Sequence, residues 1–192
     1  MKIMRPVGIR LKSAILIDES NAIYQLLELG IKGIRSWRKF YEVVEEYLKA
    51  NYGLKMSTDF NFYGALPPKH ADEIRYNKRH KFLQALEHDG INVYRGTCYI
   101  QKDIYIEKGV DVLICLDLYQ FSVYKYDYVV VFSGDADFVP AIKRAKKNGT
   151  LVLAILGHNK AAFHLRNMVD VTIDLESIIE KLDQTTLIQK LS

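Results

Sequence analysis

Four aspartates carry the chemistry that this sequence offers. Asp18 closes an apolar run in I-L-I-D-E-S-N. Asp135 and Asp137 follow another in V-V-V-F-S-G-D-A-D-F, and Asp111 opens a helical stretch in E-K-G-V-D. Carboxylates gathered within a few ångströms cannot all ionise cheaply, so a shared crevice raises their pKa values. A bound divalent cation removes that conflict. Hard oxygen donors with no histidine or cysteine in the same motifs select Mg²⁺ or Mn²⁺ and disfavour zinc. Water on such an ion becomes a nucleophile near neutral pH, and the ion neutralises charge on a phosphodiester. Any one of these aspartates could equally be a helix cap or a first-turn acid. It is the four together that point to catalysis.

Other residues surround them. Asn21, with Ser20, caps the following helix or holds a metal-bound water or a phosphate. The Ser133-Gly134 turn is structural or presents backbone amides to an anion. Lys108, beside Asp111, is the basic residue placed to touch substrate. Asp117 lies on another face of the Asp111 helix and is expected as a supporting or structural carboxylate. Three basic groups lie on helical stretches: Arg35, Arg38 and Lys39; Arg75, Lys78, Arg79, His80 and Lys81; and Lys143, Arg144, Lys146 and Lys147. They read as solvated faces or as phosphate contacts around an acidic centre. Tyr76, Tyr94 and Tyr99 are candidates for stacking on unpaired bases.

The elements that must position these groups alternate along the chain. Residues 13–18, 58–63, 91–100, 128–132, 151–156 and 171–173 read as strands. Residues 31–52, 69–88, 110–124, 137–147, 161–168 and 175–191 read as helices, the first of them stopped by Gly53. Ile74, Phe82, Leu83 and Leu86 are expected on the inner face of the second helix. This alternation predicts an α/β fold, a mostly parallel sheet with helices on both faces. Sites in such sheets form outside the carboxyl ends of the strands, where Asp18 and Asp135 fall. No linker or repeat interrupts the pattern, so residues 1–192 read as one domain, with a motif core at 14–175 and a terminal helix at 175–191.

Composition sets the limits. The 192 residues hold 27 lysines and arginines against 23 aspartates and glutamates, a net charge of +4. That permits a nucleic-acid partner without arguing for one. Two separated cysteines, Cys98 and Cys115, exclude a thiolate zinc site and speak against a disulfide scaffold. The apolar runs are too short to span a bilayer, and residues 1–12 lack a signal-peptide core. The expectation is a soluble cytoplasmic protein with no membrane partner. Residues 171–191 are the segment expected to pack in a homodimer. The acidic strand end lacks the D-x-D of haloacid-dehalogenase phosphatases and the D-x-S-x-S of adhesion-type metal sites, and no P-loop occurs.

D-E-S-N after an apolar strand, E-K-G-V-D-V opening a helix, and V-V-V-F-S-G-D-A-D-F-V-P together resemble the NYN domain family, in its LabA-like branch. K-N-G-T-L-V-L-A-I-L and L-R-N-M-V-D-V-T-I-D-L extend the likeness over residues 14–175. The resemblance implies a Rossmann-like, PIN-like fold and a metal-dependent ribonuclease. It maps Asp18, Asp111, Asp135 and Asp137 onto the catalytic and metal-binding aspartates and Asn21 onto the Asn of the first motif. Glu19 departs from it, standing where a small residue is usual. The expected activity is Mg²⁺- or Mn²⁺-dependent endonucleolytic cleavage of single-stranded RNA. A non-catalytic RNA-binding module of the same fold and a small-molecule phosphohydrolase or phosphoacceptor are the alternatives.

Overall fold

The unbroken apolar run ahead of Asp18 becomes β1 (Leu11–Asp18), which lies in the middle of a seven-stranded sheet. Both of its faces are covered, which is why it reads as continuous Ala, Ile and Leu rather than as an alternation. The computed structural model describes residues 11–52, 56–102, 104–158 and 163–189. β1 pairs in parallel with β3 (Met56–Leu66) on one side and with β6 (Tyr128–Phe132) on the other. Beyond β3 lie β4 (Asn92–Gln101), parallel, and β5 (Ile104–Lys108), antiparallel. Beyond β6 lie β7 (Leu151–Leu156) and β8 (Val171–Asp174), both parallel.

Alternate residues of β1 feed two cores. Leu11, Ile15 and Ile17 face α1 (Glu19–Glu28), α2 (Trp37–Tyr52), α3 (Glu73–His88) and α7 (Leu175–Ile179). Ala14 and Leu16 face α4 (Val110–Val123), α5 (Val139–Lys147) and the short α6 (Phe163–Arg166). The first core is aromatic. Phe40 stacks on Phe132 with centroids 5.4 Å apart, and Trp37 meets Phe62 edge-on at 5.2 Å. Such pairs contribute roughly 1 kcal/mol each beyond the area they bury.

The predicted α/β alternation holds, with four corrections. Residues 31–52 do not form one helix. Ile31–Ile34 is a strand, β2, paired antiparallel with β9 (Leu187–Gln189), and the helix begins at Trp37. Its pairing partner lies at the far end of the chain, out of reach of a local pattern. For the same reason residues 175–191 do not continue as a helix. Asp183 caps a single turn at Gln184–Thr186, and the chain then extends into β9. Leu175, Ile178, Leu182 and Leu187 are thereby buried within their own chain, so these four side chains are not free to face a second copy. β5 was not expected. It returns from β4 through a tight turn with Lys102 at φ 50°. Finally, α3 starts late because Pro68 opens a turn and Asp72 caps the helix, leaving Ile74 84% exposed rather than inward. Leu83 and Leu86 are buried and Phe82 packs against the core, as expected. Gly53 and part of the 161–168 helix lie outside the described residues. Among the described residues, no helix is long and apolar enough to cross a membrane.

Because β9 covers β2 and its Leu187 side chain is buried, Leu187→Ala should cost about 2–4 kcal/mol in urea unfolding. A chain terminus that frays there would show no such loss.

Candidate functional site

From β1 the chain moves to β3 and β4 on one side. After α4 it returns to β6 on the other side. The carboxyl ends of β1 and β6 therefore flank the point where strand order reverses, the place where open α/β sheets form their crevice.

Asp18 is both the last residue of β1 and the cap of α1. It is 3% exposed. One oxygen accepts the Asn21 N–H at 3.3 Å and the other the Ser133 hydroxyl at 2.9 Å. Burial nonetheless outweighs these bonds. With repulsion from Asp111 and Glu107 added, it pushes the carboxyl up to about 7. Asp18, rather than Ser20 or Asn21, is thus the N-cap. An Asp18 closed in to this degree is also poorly placed as an exposed phosphoacceptor.

Ser133 follows β6 and is fully buried. Its hydroxyl donates to Asp18 and accepts the Asp135 N–H at 3.1 Å. The Gly134 N–H donates to the Asn21 side-chain carbonyl at 2.8 Å. The Gly134 and Asp135 amides are therefore engaged within the protein rather than turned to an anion, and the Ser133 and Asn21 side chains hold the turn in place. Gln25 extends the same chain of bonds. Its amide donates to Asn21 at 2.8 Å and its carbonyl accepts the Gly157 N–H, after β7, at 2.7 Å. Sequence reasoning missed Gln25, a buried polar residue one helical turn past Asn21.

Asp135 accepts the Asp137 N–H at 2.9 Å and so caps the turn Ala136–Phe138, which Phe138 anchors in the core. Asp111 sits in the first turn of α4, after Gly109 at φ 86°. Burial raises its carboxyl, the charges of Asp135 and Asp137 raise it further, and Lys108 opposes them. Lys108 is exposed beside it, with its ammonium 5.8 Å from the centre of the Tyr99 ring. Glu107, at the end of β5, belongs to the same field. Burial raises its carboxyl, as do Glu19 and Asp111, while Ser20 and Arg79 lower it. Its side chain accepts the Ser20 hydroxyl at 3.2 Å. Glu107 was missed because β5 was missed; the alternation in I-Y-I-E was the available signal.

Glu19, the departure from the family pattern, forms a two-pronged ion pair with Arg79 of α3, one prong at 2.6 Å. Arg79 also donates to the Ala65 carbonyl at 3.0 Å. Gly64 lies directly beneath this pair, where any Cβ would collide with both charged groups. Asp117 stands apart from the crevice. It accepts the Tyr63 hydroxyl at 2.7 Å, and Tyr63 stacks on Tyr94 at 4.8 Å. Burial raises its carboxyl and Tyr63 eases it, with no contribution from the four aspartates. Asp117 therefore supports a tyrosine stack, not the acidic centre, and one face of Tyr94 is already taken.

The basic groups divide similarly. Arg38 pairs with Glu42 and Lys146 with Asp170, and Tyr76 stacks on His80 at 5.7 Å. Arg75 lies over the Tyr105 ring at 3.9 Å. Lys78, Lys81, Lys143, Arg144 and Lys147 face solvent. Among the described residues, no three His, Cys, Asp or Glu side chains are gathered closely enough to form a metal cage. The chemistry of the donors still fits a hard cation, because the carboxylates repel one another, and the thiol nearest them, Cys115, is itself held protonated by burial and by Asp111, Asp135 and Asp137. Mg²⁺ is commonly held by one or two carboxylates, with water and substrate oxygens completing its shell.

Comparison with known proteins bears on this crevice. The family model described as NYN domain matches residues 12–176. Over 112 residues the chain is 33% identical to the low amplitude and bright protein LabA of Synechococcus elongatus, covering 58% of this chain and 55% of that protein. The chain thus spans about half the length of this curated relative. A crystal structure of VPA0982, a protein of unknown function from Vibrio parahaemolyticus, superposes with a TM-score of 0.65 over 96% of this chain and all of the other, at 19% identity. That likeness is one of fold.

The upward displacement of Asp18 means that its ionised form is a net cost to the fold. Asp18→Asn, which keeps the size and a capping carbonyl, should stabilise the metal-free protein by about 1–3 kcal/mol in urea unfolding with EDTA at neutral pH. A less stable variant would show that the two hydrogen bonds outweigh burial.

Proposed function

The chain belongs to the NYN domain family, whose fold is that of the PIN-like nucleases, and on that premise we propose that it is a metal-dependent endoribonuclease. One observation carries this reading: at the switch point of the sheet, Asp18 and Asp111 are driven upward by burial and, beyond that, by the acids around them. Asp111, Asp135 and Asp137, with Asp18 behind them, are the residues that would hold Mg²⁺ or Mn²⁺. Bound there, the cation would supply an activated water and neutralise charge on the scissile phosphate.

The chain's own residues do the positioning. Ser133 fixes the Asp18 carboxylate, and Asn21 with Gln25 fixes the turn that carries Asp135 and Asp137. Lys108 offers a positive charge beside Asp111 for a substrate phosphate. Lys78 on α3 and Lys143, Arg144 and Lys147 on α5 supply outer phosphate contacts. Tyr99, half-exposed next to Lys108, supplies a face on which an unpaired base can stack, which favours single-stranded RNA.

A second reading, an RNA-binding module without cleavage, is favoured by the absence of a three-carboxylate cage among the described residues. Cleavage assays separate the two. The purified chain with Mn²⁺ should cut single-stranded RNA internally, and EDTA should stop it. Asp135→Asn should lower kcat by at least about a hundredfold while the circular dichroism spectrum stays unchanged. Activity that survives EDTA would sink the metal-dependent reading. Binding without cleavage over a broad RNA panel would establish the module instead. Independently of activity, Mn²⁺ should raise the melting temperature of the wild type more than that of Asp135→Asn, since a ligand stabilises the folded state only in proportion to its affinity.

A further inference from the structure

Helix α4 is apolar on both sides. Its inner face, Val110, Ile114 and Leu118, is buried in the second core. Its outer face carries Val112, Leu116, Tyr119 and Val123, followed by Tyr124, all between 43% and 61% exposed. Helices on a protein surface ordinarily turn charged residues outward. α2 of the same chain does so, with Lys39, Glu42, Glu46 and Lys49 outside and Trp37, Phe40, Tyr41, Val44 and Leu48 inside. On α4 no Lys, Arg, Asp or Glu interrupts the outer stripe between Val112 and Tyr124. Asp117, the acid within that span, is held by Tyr63. The stripe advances by four, three and four residues, the spacing of a seam between two helices.

We propose that this stripe is the face on which a second copy of the chain docks, with the two α4 helices antiparallel across a two-fold axis between Leu116 and Tyr119. An uncharged face is complementary to itself, as a two-fold interface requires. The size is adequate. Five large apolar side chains at about half exposure make a patch of roughly 500 Å², at the top of what monomers display. With a polar rim it approaches the ~800 Å² per partner of a stable interface.

Charge selects the direction. The N-terminal end of α4 holds Asp111 and the acidic crevice, whereas Lys125 follows its C-terminal end. Antiparallel pairing brings each acidic end towards a basic one. Parallel pairing sets two acidic crevices side by side, which like-charge repulsion opposes. In the antiparallel pair Val112 faces Val123 of the second copy. The two crevices then open at opposite ends of a seam on the order of 20 Å long. This proposal does not depend on the nuclease reading, because it uses no group of the crevice as a ligand.

Sedimentation equilibrium of the full chain tests it. The wild type should be a dimer. Leu116→Lys and Val123→Lys should each weaken dimerisation by at least tenfold, since the axis presents every substitution twice. Lys125→Glu should weaken it less, and more so at low salt. Ile74→Lys, at an exposed apolar residue on α3, should leave it unchanged. Circular dichroism identifies any variant that has unfolded, and the second lysine variant then carries the test. A wild type that stays monomeric overturns the proposal, as does a dimer indifferent to both lysine substitutions. Flotation of the wild-type monomer with neutral phospholipid vesicles, lost in Leu116→Lys, would assign the stripe to lipid and overturn it equally.

Discussion

A 2.9 Å hydrogen bond from the Ser133 hydroxyl to Asp18 joins the ends of β1 and β6, the two strands between which the sheet changes direction. At a switch point the connections leaving two paired strands run to opposite sides, so something must tie the residues that follow the strands together if side chains there are to keep a fixed spacing. Here the tie is polar and buried. The serine hydroxyl is used twice, as donor to Asp18 and as acceptor for the Asp135 N–H. Asn21 and Gln25 repeat the arrangement one layer out and reach the end of β7. Acids from two distant stretches of sequence, Asp18 and the turn carrying Asp135 and Asp137, thereby acquire a common frame before any ligand arrives. A network satisfied in this way rigidifies a site, whereas a half-satisfied one would destabilise it.

That frame sets stability against charge. Burial and neighbouring acids drive Asp18 and Asp111 upward, and few cations stand close enough to answer them. Arg79 is committed to Glu19 and to the Ala65 carbonyl, and its influence reaches Glu107. At Asp111 the opposing charge is that of Lys108. The α4 N-terminus, where four backbone N–H groups lack intrahelical partners, offers Asp111 a further offset. A net charge of +4 conceals this division, with acids concentrated at one end of the sheet and lysines spread over α3 and α5. A polyanion would meet positive charge first and the acidic crevice afterwards.

How much of this was legible in the sequence follows from the range of the forces involved. β1, β6 and β7 are buried on both faces, and local hydrophobicity alone identifies them. The same logic places Asp18, Asp111, Asp135 and Asp137 at strand ends and helix starts. β2, β5 and β9 are short and owe their form to partners, so local pattern marks them weakly, the brief I-Y-I-E alternation of β5 being its one trace. Losing β5 also hid Glu107, whose position depends on the hairpin. The role of Ser133 is cooperative in the same sense. A serine after a strand looks like a turn residue until the neighbouring strand supplies a carboxylate. Glu19 was visible only as an anomaly, since its partner Arg79 lies 60 residues away.

Two glycines show how closely these distant parts have been fitted. Gly64, near the end of β3, leaves room for the Glu19–Arg79 pair that α1 and α3 close over it. Gly96, on β4 one residue past the register partner of Gly64, lies against Val110 and the Lys108 carbonyl, so the β5–α4 connection can press on the sheet. A side chain at either place would push an element outward. At Gly64 that element is the α1–α3 clamp beside Asp18; at Gly96 it is the first turn of α4, with Asp111. The acidic centre is therefore defined as much by where backbone is left bare as by where carboxylates stand. Because α4 is seated from below by Gly96 and from within by Ile114 and Leu118, the contacts that place its apolar outer face are the same ones that place Asp111 in the crevice.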